Sequence, residues 1–120
     1  MSYQKDIELE KRWVRLLNGL SSLTKKRPKD LNSVLFLIGV QELGQGPQNF
    51  SKEEKQDLMH IAICKVLSLS GYYRLLGQDE SGWPIWELRN KLPRFKLDEQ
   101  ENLIKMHVIE YFEKEKILNL

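Results

Sequence analysis

Three residues near the middle of the chain, Asp57, His60 and Cys64, have side chains suited to chemistry. At positions i, i+3 and i+7 of a helix they share one face, and carboxylate, imidazole and thiolate all bind zinc or iron. The Asp-x-x-His spacing matches the acid-x-x-His element of helical-bundle di-iron sites. His107, with Glu110 three residues on, offers further donors from a later stretch. A di-iron centre needs that pattern twice plus two more carboxylates, and this sequence has one copy. A lone cysteine is more commonly a small packing residue than a nucleophile or ligand. Zn or Fe on Asp57, His60, Cys64 and His107 is therefore the alternative to an ordinary polar helix face.

Two other groups of residues suit binding. Tyr72, Tyr73, Trp83 and Trp86 cluster in a short segment with Arg74 between them. Aromatic rings with one polar group serve partner surfaces as well as cores, and they stack on bases or peptides. The first 29 residues hold eight basic and three acidic side chains, a net of +5 against +2 for the whole chain, so the remainder carries −3. Arg12, Arg15, Lys25, Lys26, Arg27 and Lys29 make up most of this basic front. Phosphate binders usually gather more charge and a groove-entering motif. A solvated helix face explains the basic front better than nucleic acid does.

The elements that position these residues follow from periodicity and capping. Ser51 and Glu54 form an S-x-x-E capping box, and Glu53 and Glu54 favour the positive end of a helix. Phe50 precedes the cap as a hydrophobic staple onto residues one turn in, and Gly71 offers a left-handed exit. Between them the apolar residues from Leu58 to Leu69 cover most of the helix circumference, which predicts a central helix over about 52–70 with the others packed around it. A narrow polar strip remains, made of Glu53, Asp57, His60, Cys64 and Ser68.

Upstream, Leu9, Trp13, Leu16, Leu17, Leu20 and Leu23 share one face of a helix over about 3–25, ended by Pro28. Tyr3, Ile7 and Val14 form a thinner second stripe, a candidate partner contact. Asp30 caps a helix over 31–43 closed by Gly44, although a buried strand over 34–40 competes. Gly39 allows close backbone approach to the 52–70 helix. The Gly44–Asn49 loop is a connection: no Lys-Ser/Thr follows its glycines, and two glutamates open the next helix.

Aromatic runs on either side of Asp79–Gly82 predict a β-hairpin over about 72–88, with Pro84 at an edge or bulge. Asp98 and Glu101 repeat the capping-box spacing before a last helix over about 98–117. There Leu103, Ile104, His107, Val108, Tyr111, Phe112 and Leu118 share a face, while Met106 and Ile109 lie off it and favour self-association.

The fold expected is mainly α, a four-helix, bundle-like single domain over 1–120 with a short β-hairpin inserted between helices 3 and 4. A 120-residue chain can bury a core without disulfides or metal. One cysteine and a charged N-terminus without a signal-like apolar core point to the cytoplasm. The longest apolar run, 34–40, is far below the ~20 residues that span a bilayer, so no membrane role is expected. Walker-type loops, dinucleotide fingerprints, H-E-x-x-H and G-x-S-x-G are all absent.

The segments FSKEEKQDLMHIAICKVLSLSGYY and GQDESGWPIW resemble a small uncharacterised protein family of Bacteroidetes-type bacteria, over roughly 34–112. The resemblance implies a cytosolic helical protein and brings no activity or site with it. The function expected from sequence is a non-enzymatic binding or interaction module, partnered by itself as a homodimer or by another protein.

Overall fold

The computed structural model describes residues 3–115, with side chains from residue 6 onward. The order is α1 (Tyr3–Thr24), α2 (Leu31–Leu43), α3 (Lys52–Ser68), β1 (Tyr73–Gln78), β2 (Pro84–Leu88) and α4 (Leu97–Lys114). The chain is thus mainly helical, with four helices and one hairpin between the third and fourth. It divides into two compact units, residues 30–94 and residues 1–29 with 95–120.

The 30–94 unit is built on α3. Ser51 Oγ accepts from the Glu54 amide at 3.1 Å, and the Glu54 carboxylate accepts from the Ser51 amide at 2.8 Å, so two orphan donors are satisfied reciprocally. At the far end Gly71 adopts φ +82°, and the Tyr72 amide reaches back to the Leu67 carbonyl at 3.2 Å. That is a left-handed exit, and it closes the helix at Ser68 rather than at 70. Leu58, Ile61, Ala62, Cys64, Val66 and Leu67 are buried around the helix.

Segment 34–40 is helical. Asp30 caps α2 by accepting from the Ser33 amide at 2.9 Å, and Gly44 ends it at φ +70°. A Cβ on Gly39 would lie 2.7 Å from the Leu58 carbonyl carbon, so α2 and α3 meet backbone to backbone there. Phe50 reaches further than a one-turn staple. It is buried with Leu43 and Leu58, and its ring meets Phe36 edge to face at 6.1 Å.

The strands pair antiparallel from Tyr73↔Leu88 to Gln78↔Pro84, with Leu76 as the extra residue of a bulge between Leu75 and Gly77. Asp79 Oδ1 accepts from the Ser81 and Trp83 amides at 2.9 and 3.0 Å, and Gly82 takes φ +84°. The turn is thus set by an acceptor at its first position and by glycine in the left-handed one. Trp83 packs against the Leu43–Phe50–Leu58 cluster, and the Gln45 amide donates to the Ser81 carbonyl at 2.8 Å, which fixes the tip.

In the other unit α1 packs with α4. Leu9, Trp13, Leu16, Leu17 and Leu20 are buried, as the stripe predicted. Leu23 is not; it is 55% exposed because the helix ends one residue later. Lys25 lies beyond the helix at φ +62° and itself makes the left-handed exit, so Lys25, Lys26 and Arg27 do not occupy the last turn. α4 begins earlier than expected. Glu99 accepts from the Lys96 amide at 3.2 Å, which places the cap at Lys96 and leaves Asp98 in the first turn. Ile109 is buried and so cannot serve a partner, whereas Met106 is exposed. Tyr3 as a side chain, Ile117 and Leu118 lie outside the described residues.

Candidate functional site

The Asp57–His60–Cys64 face takes its geometry from α3. Cys64 Sγ lies 3.5 Å from His60 Nε2, one turn away. His60 is exposed at its rim and meets the Tyr73 ring edge to face, centroids 6.5 Å apart. Cys64 itself is fully buried, so it does not belong to a solvent-facing polar strip; the strip ends at His60. Burial disfavours the thiolate and lifts the Cys64 thiol from 9.0 to about 11, against a smaller lowering by a backbone hydrogen bond. Burial also raises the Tyr73 phenol, and a negative charge on Cys64 would raise it further. At neutral pH the pair is therefore a neutral thiol beside an imidazole. That arrangement packs the α3–β1 junction and keeps the thiol protonated at neutral pH, unlike an activated nucleophile.

Asp57 is exposed on the same helix. His107 stands on α4, buried, with Nδ1–H donating to the Leu103 carbonyl at 2.8 Å. Among the described residues no group of three or more His, Cys, Asp or Glu side chains is placed to hold a metal ion. The structure brings together His60 and Cys64, with Tyr73 added, and among the described residues no carboxylate joins them as a metal-holding group.

The aromatic residues divide by role. Tyr72, Tyr73, Trp83 and Trp86 are all half-buried; Tyr73 faces His60 and Trp83 faces the core cluster. Trp86 Nε1 is buried with no hydrogen-bond partner among the described residues. What the hairpin shows to solvent is aliphatic: Leu75, Leu76, Ile85 and Leu88 are 52, 53, 43 and 52% exposed. Sequence reasoning passed over these four in favour of the rings. The register puts Leu75 and Leu88 on the face of Tyr73 and Trp86, and Ile85 on the other, a placement that alternation in one strand does not give. Both strands are edges, because the sheet has two strands.

The basic front is partly neutralised. Arg12 pairs with Glu113 at 3.0 Å and Arg27 donates to Asn18 Oδ1 at 3.1 Å, whereas Arg15, Lys25, Lys26 and Lys29 are exposed. No described helix is long and apolar enough to cross a membrane. Compared with family models, curated proteins and solved structures, the chain matches none.

Proposed function

We propose that this chain is a cytoplasmic, non-enzymatic protein-binding module whose hairpin carries the contact surface. One observation carries it: four large aliphatic side chains stand exposed on a two-stranded sheet with open edges. Isolated apolar residues on a surface are ordinary, but exposed aliphatic side chains on strands with unpaired edges favour strand addition by another chain. The turn that presents the group is held by the Asp79 acceptor and by the Gln45–Ser81 bond, so little ordering is lost on binding. The buried, protonated thiol gives a catalytic role no comparable support.

The test is a Leu75→Asp, Ile85→Asp double variant, compared with the parent chain by light scattering across concentration and by quantitative capture of interacting proteins. A partner, or a second copy, that is retained by the parent and lost by the folded variant fits the proposal. Identical assembly and identical capture by both chains would sink it.

A further inference from the structure

We propose that the outward stripe of α1 is a docking groove for an acidic amphipathic segment of a partner protein. This rests on the binding-module reading but uses a surface separate from the hairpin. A shallow groove of about 690 Å³ runs along α1, lined by Ile7, Glu10, Lys11, Val14, Arg15 and Asn18. These positions step i, i+3, i+4, i+7, i+8 and i+11, three turns of one face. Ile7 is half-buried and Val14 is 41% exposed, so the floor is aliphatic and open.

Charge determines what fits. In this unit Arg12 is paired with Glu113, Lys105 with Glu10 and Glu101, and Lys114 with Glu110. Lys11 and Arg15 have no ion pair or hydrogen bond among the described residues, and both are exposed. One turn apart, they run along the same flank of the Ile7–Val14 floor. Glu10, on the opposite flank, already has one oxygen 3.7 Å from Lys105 Nζ. The groove thus offers two uncompensated cations beside an apolar strip. A helix with carboxylates four residues apart and aliphatic side chains between them complements both features. A nucleic acid would complement only the cations, gain nothing from Ile7 and Val14, and meet Glu10 in the groove wall.

Fluorescence anisotropy with the full chain provides the test. The probe is a labelled helical peptide of about 15 residues, four turns long, with Leu on one face and Glu at i, i+4 on its flank. The same peptide with Gln for Glu, and an oligo-dT strand of equal charge, are the comparisons. Binding of the acidic peptide is expected to weaken about tenfold or more in Lys11→Glu, Arg15→Glu and in Val14→Asp, and to weaken with salt. Circular dichroism verifies that these exposed-site variants stay folded. No binding of the acidic peptide, equal binding of the Gln peptide, or tighter binding of oligo-dT would each overturn the proposal, the last in favour of nucleic acid. The hairpin double variant should bind the peptide like the parent chain. Loss of capture there with peptide binding intact, or the reverse, separates failure of the groove from failure of the hairpin surface.

Discussion

Gly39 of α2 rests against the backbone of Leu58 in α3 so closely that a β-carbon would fall 2.8 Å from Leu58 Cβ. No flexible side-chain end is available to yield, because the neighbouring atoms are main chain and Cβ. Gly39→Ala should therefore destabilise the protein by about 1–3 kcal/mol, despite the ~1 kcal/mol that alanine gains in helix propensity. The midpoint of urea unfolding reads this directly. An unchanged or higher midpoint would mean that α2 and α3 are not in backbone contact.

Cys64 makes alkaline pH destabilising. Its thiol ionises near 9.0 when unfolded and near about 11 when folded, so the unfolded chain loses the proton first. Its contribution is intact below pH 9 and is lost as pH rises through 9 to 11, by about 2–3 kcal/mol at most. Other side chains titrate there too, so the quantity to measure is the stability gap between the parent chain and Cys64→Ala. That gap should shift in favour of the variant as pH rises, and a pH-independent gap would contradict the burial. Native Cys64 should also react slowly with a disulfide reagent at neutral pH and rapidly in denaturant.

Two ion pairs of the α1–α4 unit should behave differently. Lys105 is only 13% exposed along its side chain, lies near Glu10 and Glu101, and sits 5.3 Å over the Trp13 ring. Removing it in Lys105→Ala is expected to cost about 1–2 kcal/mol, since stem packing and the cation–π contact go together. Arg12 and Glu113 are 48 and 45% exposed, and Arg12→Ala should change stability by no more than about 0.5 kcal/mol. Equal losses in thermal unfolding would refute the contrast.

Lys25 is a strained exit, with a β-carbon at φ +62°. Lys25→Gly relieves that strain and is expected to stabilise by about 0.5–1 kcal/mol, although glycine also frees the unfolded chain. A lower melting temperature would show that the lysine side chain holds the exit in some other way.

The elements were legible where capping and periodicity agree. Ser51, Glu54, Asp30, Gly44 and Gly71 each act locally, through hydrogen bonds within a turn of their own position, so spacing marks the ends of α2 and α3, although it left helix and strand open over 34–40. Asp79 and Gly82 specify the hairpin turn for the same reason. The first errors came where an alternative cap lay nearby: Lys96 with Glu99 displaced Asp98 with Glu101. Others came where a helix wheel carries no information about neighbours. Cys64 and Ile109 each sit off the main apolar stripe of their helix, yet both are buried. The exposed leucines of β1 were hidden by the bulge at Leu76, which shifts alternation by one residue and needs the partner strand to be seen. The groove on α1 was visible only as Ile7 and Val14; that Lys11 and Arg15 stay unpaired depends on which acids α4 supplies.

The division of the chain has a consequence for its synthesis. Residues 30–94 are continuous, whereas the other unit joins the first 29 residues to those from 95 onward. A ribosome adding roughly 5–20 residues per second delivers α4 some seconds after α1. During that interval the apolar stripe of α1, Trp13 and its leucines included, waits for its partner helix while the middle unit can already close. Stalled nascent chains ending just before α4 should therefore show a protease-resistant middle and a cleavable α1, and protection of α1 at that length would rule this order out. Chaperone demand during translation would then fall on α1 rather than on α4.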